Sequence, residues 1–208
     1  MAQNRILACR ALGLTQSYEG YPKSVTLNGV DYEIRRLQPD DQTLLQQFAA
    51  DMPANDLLFL PRDIRQQSVV AAWVEQTEAG AISTIVVLDG AKLVGVAAVV
   101  CDELSYSKHV GDLRVLLSSG VRGIGLGRLL VKECYFLALA RNLEKLTTRM
   151  TANQPTALKL FEELGFVPEA LWRSQVRDET GANHDLVGLG QDVAGFERAM
   201  RAFGLLEG

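Results

Sequence analysis

The sequence predicts an α/β domain (α+β in some schemes) built on one mixed sheet. Antiparallel strands come first, then a central β-α-β unit with two parallel strands, then a closing hairpin, with helices flanking the sheet. Three observations carry this reading. Asn28-Gly29 lies between two runs with alternating apolar residues, and Asp89-Gly90 lies between two apolar runs. Such dipeptides suit tight hairpin turns, whose central residues need positive φ. Finally, the apolar run Val110–Leu117 leads into a glycine-rich turn, a segment of helical spacing to about Asn142, and a second run at Leu146–Thr151. A strand, helix and strand in this succession cross over right-handed, which makes the two strands parallel.

The remaining elements follow in order. Residues 1–23 read as an extension, in which ILACRALGL has the makings of a short helix that Gly13 and Gly20-Tyr21-Pro22 interrupt. Ser24–Leu37 is the first hairpin. Pro39-Asp40-Asp41 opens a helix with Leu44, Leu45 and Phe48 on its inner face. Asp51–Pro61 is a loop rich in proline and apolar residues; it either packs Leu57, Leu58 and Phe59 into the core or lines an acceptor pocket. Arg62–Thr77 has helical spacing through Ile64, Val69, Ala72 and Trp73. Ala81–Leu88 and Lys92–Cys101 form the second hairpin, and Asp102–Gly111 joins it to the central strand. Thr156–Leu164 is a short helix with Ala157, Leu160, Phe161 and Leu164 on one face and Gly165 as its C′ residue. Leu171–Val176 and Asp185–Leu189 are the last strands, and Val193–Leu206 reads as an amphipathic tail helix. The chain is therefore one domain, residues 24–192, with additions at 1–23 and 193–208.

Composition narrows the function classes. The 208 residues carry a net charge of −4, with 48% hydrophobic and 22% charged residues. That balance suits a soluble globular protein and argues against a dedicated nucleic-acid binder. No apolar run is long enough to span a bilayer, and Arg10 breaks the early apolar stretch, which makes it a poor secretory signal. Three scattered cysteines, Cys9, Cys101 and Cys134, point to reduced thiols in a cytoplasm. The two histidines, His109 and His184, lie far apart, so no metal site is expected.

The stretch that organises the chain is DLRVLLSSGVRGIGLGRLL, from Asp112 to Leu130. Gly123, Gly125 and Gly127 let the backbone turn tightly and approach a ligand closely. The first N–H groups of the following helix lack intrahelical partners and carry the positive end of its dipole. This is a ready site for phosphate or pyrophosphate, and Arg122 and Arg128 add positive charge on either side. The plainer alternative is a helix start whose glycines serve packing alone. A nucleoside-triphosphate loop would need Gly-Lys-Ser/Thr, whereas Gly127 is followed by Arg-Leu. A dinucleotide fingerprint would need G-x-G-x-x-G and an acid closing the next strand; here the spacing is G-x-G-x-G and the next strand reads KLTTRMT.

Arg122, Gly125 and Gly127, as Arg-x-x-Gly-x-Gly, resemble the coenzyme A pyrophosphate loop of the GNAT superfamily of N-acyltransferases. LFEELGF at Leu160–Phe166 is similar to that family's helix-to-strand segment, and His184-Asp185-Leu186-Val187 to its last strand. The resemblance runs from about Tyr32 to Asp192. It implies two parallel strands that splay apart, with the pantetheine arm of acetyl-CoA, or another acyl-CoA, in the gap. Backbone groups of Val115, Leu116 and Leu117 would pair with that arm, and the N–H groups of Gly123, Ile124, Gly125, Leu126, Gly127 and Arg128 would hold the pyrophosphate. The family's asparagine position falls on Gln154, with Asn153 beside it, and either amide is a cofactor contact. The tyrosine that protonates the leaving thiolate in many members falls on Phe161, which has no proton to give.

The implied reaction is attack of an amine on a thioester, with a small-molecule or peptide amine as acceptor and neither nucleic acid nor membrane as partner. An alkyl ammonium, with a pKa of about 10.4, must first lose a proton. Asp112 and Glu103 are the candidate bases, with Asp102, Tyr106 and His109 nearby; each is otherwise a strand-end or turn residue. Cys101 and Cys134 read as packing residues rather than acyl-carrying nucleophiles. The alternative function is a catalytically weak module of the same fold that binds coenzyme A or a partner as a sensor. The strands near the C-terminus and the apolar tail also make a homodimer an expectation.

Overall fold

A computed structural model describes residues 20–193. The short helix expected within residues 1–19 and the tail helix expected beyond Val193 lie outside the described residues. Strands β1 (Lys23–Leu27) and β2 (Val30–Arg36) form the first hairpin. Helices α1 (Gln42–Asp51) and α2 (Gln67–Glu78) follow. Then come β3 (Ile82–Asp89), β4 (Lys92–Val100), β5 (Val110–Leu117) and the long helix α3 (Leu126–Ala140). Strand β6 (Lys145–Thr151), helix α4 (Pro155–Glu163), β7 (Val167–Arg177) and β8 (Asn183–Asp192) complete the domain. The strands make one mixed sheet in the order β1-β2-β3-β4-β5-β6-β8-β7. Both expected hairpins form, and β5 pairs parallel with β6.

The sheet carries a layer on each face. Alternation along the strands divides their side chains between two cores. Val87, Ala97, Val99, Leu113 and Leu146 pack with α3, which buries Leu126, Leu130, Cys134 and Leu137 at helical spacing. Val86, Leu88, Val96, Ala98 and Leu116 pack on the other face with Leu45, Phe48, Val70 and Trp73 of α1 and α2. Helix α4 ends as its glycine predicts. Gly165 has φ +88°, its N–H bonds the Glu162 carbonyl, and the Phe166 N–H reaches back to the Phe161 carbonyl. The Phe161 and Phe166 rings meet edge-on at 5.1 Å, which is the apolar contact that accompanies this cap.

Two elements differ from the sequence expectation. Helix α2 begins at Gln67 rather than Arg62. The Asp63 carboxylate accepts the Arg65 backbone N–H at 3.0 Å and its Nε at 2.9 Å, a local side-chain turn that competes with helix. Strand β7 begins at Val167, earlier than Leu171. Pro168 argues against a strand in the sequence, but β7 is the sheet edge, where a missing N–H is tolerated.

The feature that positions the site is a short parallel pairing. Strands β5 and β6 are in register only at Val110↔Lys145, Gly111↔Leu146 and Asp112↔Thr147. Beyond that point the Thr148 Oγ1 donates to the Leu113 carbonyl at 2.9 Å, in place of a ladder bond. The two strands then part, and a gap opens toward Leu117.

Candidate active site

The gap between β5 and β6 continues into a cleft of about 550 Å³. Its walls include Val115, Leu116 and Leu117 of β5, Arg122, Gly123, Gly125, Gly127 and Arg128 of the loop and α3, and Asn153, Gln154, Leu160 and Phe161 at α4. Of the expected cofactor residues, Ile124 and Leu126 do not line it. Ile124 packs against the core, and Leu126 is fully buried beneath the turn.

Strand geometry says which backbone groups face the gap. The Leu113 carbonyl points toward β6, because Thr148 reaches it. The Ser118 N–H bonds the Val94 carbonyl on β4. By alternation, Val115 and Leu117 present their N–H and C=O groups to the gap, whereas Leu116 turns its own toward β4. The expected backbone set is thus narrowed to Val115 and Leu117. The Leu117 carbonyl accepts Nε and Nη2 of Arg122, at 3.2 and 2.9 Å.

The turn at the mouth of the cleft is shaped by glycine. Gly123 and Gly125 have φ of +77° and +92°, in a region that L side chains rarely occupy. Gly125 is the N-cap of α3 and supplies no side-chain capping bond, and the first turn holds no acid. The N–H groups of Leu126 and Gly127 therefore start the helix without intrahelical partners, at the positive end of its dipole. Arg122 bonds Asp56 at 2.7 Å, and Arg128 pairs with Glu163. Gln154 is the N-cap of α4 but makes no side-chain capping bond; its amide and that of Asn153 line the cleft.

The two candidate bases lie elsewhere. Asp112 faces the α1/α2 layer, and its Oδ2 accepts Arg114 Nε and Nη2 at 2.9 Å and Arg149 Nη2 at 3.4 Å. Glu103 is 85% exposed and sits 3.5 Å from Arg141, beyond the C-terminal end of α3. That is the far end of a 15-residue helix, about 21 Å from the glycine turn. Asp102 accepts the Leu104 N–H in a turn, and Tyr106 and His109 are exposed. Cys101 and Cys134 are free and buried. Burial, then the nearby Glu133 charge, pushes the Cys134 thiol well above its usual range, so it is no nucleophile.

The sequence reading left three contributors unassigned. Met52, Asp56 and Phe59 of the α1–α2 connection line the cleft, while Leu57 and Leu60 of the same segment are buried in the core. Of the residues expected in the core, Leu57 is buried, whereas Leu58 and Phe59 are half-buried and Phe59 lines the cleft. The signal of this segment was the run Leu57–Leu60, which anchors the loop and turns Asp56 and Phe59 toward the cleft. Asp56 is the carboxylate among the described lining residues. Phe161, 6% exposed, presents its ring to the cleft.

Residues 81–168 match the family model described as an acetyltransferase (GNAT) domain. No curated protein sequence matches the chain. Among solved structures, a ribosomal-protein-alanine N-acetyltransferase from Brucella melitensis superposes with a TM-score of 0.67 at 21% identity, covering 76% of this chain and 98% of that one. A spermidine/spermine N-acetyltransferase from Vibrio cholerae gives 0.66 at 18% identity, covering 80% and 96%. A protein named as an acetyltransferase from Salmonella typhimurium, solved with its cofactor acetyl-CoA, gives 0.63 at 17%, covering 78% and 94%. At these identities the likeness is one of fold.

Proposed function

This chain has the GNAT fold, with an acetyltransferase domain match over residues 81–168, and from that premise we propose that it moves an acetyl or other short acyl group from acyl-CoA to an amine. The observation that carries the reading is the cleft itself. Two parallel strands part after Asp112, and the uncapped start of α3 closes the mouth.

The residues fit the cofactor. Val115 would offer its N–H and C=O, and Leu117 its N–H, to the pantetheine amides, while the Leu117 carbonyl is taken by Arg122. The N–H groups from Gly123 to Arg128 suit a pyrophosphate, and Arg122 and Arg128 flank it. Bound there, acyl-CoA supplies an activated thioester. The acceptor nitrogen, once it has lost a proton to solvent, attacks the carbonyl carbon. The C–N bond would form as the C–S bond breaks, the nitrogen would give its second proton to solvent, and the thiolate would take one from water, because Phe161 cannot donate one. A backbone N–H of β5 aimed at the carbonyl oxygen stabilises the charge that develops there. Holding both reactants in line supplies much of the rate, since effective molarities reach roughly 10⁵ M or more.

Gly125→Asp tests the assignment. It places a carboxylate on a backbone with φ +92°, facing the phosphate site, and is expected to abolish acetyl-CoA-dependent thiol release. A second reading is favoured by Phe161 and by Asp56 being tied to Arg122: a coenzyme A-binding sensor with little turnover. Under it the wild-type chain binds acetyl-CoA but releases no thiol with any amine. We further propose a reducing, cytoplasmic setting, in keeping with the free Cys101 and Cys134. A homodimer draws support from Val167, Leu171 and Trp172, exposed on the edge strand β7; sedimentation at low concentration tests it.

A further inference from the structure

We infer that the acceptor is a small amine that also carries a carboxylate on an apolar body, held by Arg62 and Arg114 in a second cavity beside the cleft. The inference rests on the acyl-transfer reading above. The cavity measures about 290 Å³, and its walls include Leu60, Arg62, Ile64, Trp73, Gln76 and Arg114. It lies on the α1/α2 face of the sheet, the face that also supplies part of the cleft wall. Leu60, Ile64 and Trp73 of its wall pack in the same core layer as Met52, Phe59 and Leu116, which line the cleft. A ligand with its carboxylate on Arg62 and Arg114 would run its amine along this face toward the point beyond Asp112 where β5 and β6 part.

The charge of the cavity decides the ligand class. Arg62 and Arg114 line it, and no acid does among the described residues. Arg114 shares one Asp112 oxygen with Arg149, so that group of three keeps a net positive charge. Arg62 has no ion-pair partner among the described residues, whereas Arg65, nearby, is satisfied by Asp63 and by Glu179 of the β7–β8 turn. A guanidinium is a planar fork that matches a carboxylate. Apart from Gln76 the rest of the wall is apolar, and the Trp73 indole N–H is already committed to Thr84 Oγ1 at 3.0 Å, which leaves its ring as a flat surface. A volume near the low end of ligand pockets, roughly 300 Å³, suits an amino-acid-sized molecule. A polyamine would bring further positive charge to a site with no acid to receive it.

The test pairs binding with turnover on the full chain. L-phenylalanine and L-leucine are compared with 2-phenylethylamine and isopentylamine, which lack the carboxylate, and with spermidine. Calorimetry is expected to give binding of the two amino-carboxylates, at least tenfold tighter than the matched amines. Arg62→Ala and Arg114→Lys should each weaken that binding tenfold or more while leaving acetyl-CoA affinity unchanged. With acetyl-CoA present, KM for the amino-carboxylates should rise in both variants more than kcat falls. Equal or tighter binding of the amines or of spermidine, no binding of either amino-carboxylate, or no effect of Arg62→Ala would overturn the inference. Binding of the amino-carboxylates without any thiol release would instead sink the acyl-transfer reading and leave the pocket assignment standing.

Discussion

Phe161 poses the sharpest question at the scale of single residues. Its ring lines the cleft and leans edge-on against Phe166, so a hydroxyl added at the para position would extend from a side chain already held in place. If proton delivery to the thiolate limits the rate, Phe161→Tyr should raise kcat by about tenfold or more, toward the 10²–10⁴ range of general acid catalysis. Unchanged turnover would mean that water already suffices. Thr148 offers a second test. Its hydroxyl serves the Leu113 carbonyl at 2.9 Å where the strands part. Thr148→Val keeps the shape but leaves a buried carbonyl without a partner, which costs about 1–3 kcal/mol. Denaturant unfolding should register that loss, and weaker acetyl-CoA binding should accompany it as the strand ends shift. Loss of stability without change in binding would separate the hydroxyl from the splay.

At the scale of elements, the β5-α3-β6 unit sets both stability and site geometry. Its tightest point is Gly111, in the short parallel pairing. A Cβ there would lie 2.7 Å from Leu143 Cδ1 and 2.9 Å from Val99 Cγ1. Gly111→Ala should therefore destabilise by about 1–3 kcal/mol through overpacking, read as a lower urea midpoint with unchanged slope. This unit was also the most legible part of the sequence. Turn dipeptides, strand runs and the glycine loop are short-range signals, and each contains its own physical cause. What stayed hidden depended on contacts between distant residues. The delayed start of α2 comes from Asp63 bonding Arg65. The place where β5 and β6 part is marked by Thr148 meeting Leu113, 35 positions away. The backbone direction that favours Val115 and Leu117 over Leu116 follows from register, which residue types alone leave open.

At the scale of the whole molecule, the sheet divides the work. On one face α3 carries the phosphate-binding turn into the cleft; on the other, α1, α2 and their connection build the second cavity. Strand β5 borders both, and beyond Asp112 it parts from β6. Asp112 and Glu103 looked alike in the sequence, as acids beside central strands. The fold sends one into an arginine pair and the other to the far end of α3. Asp56, by contrast, is distant in sequence from the glycine loop yet meets Arg122 across it. The central claim is that this cleft is a coenzyme A site, and isothermal titration of the chain with acetyl-CoA and with free coenzyme A tests it most directly. The account predicts saturable one-to-one binding of both ligands, lost in Gly125→Asp. No binding at millimolar ligand, or binding that Gly125→Asp leaves intact, would contradict it.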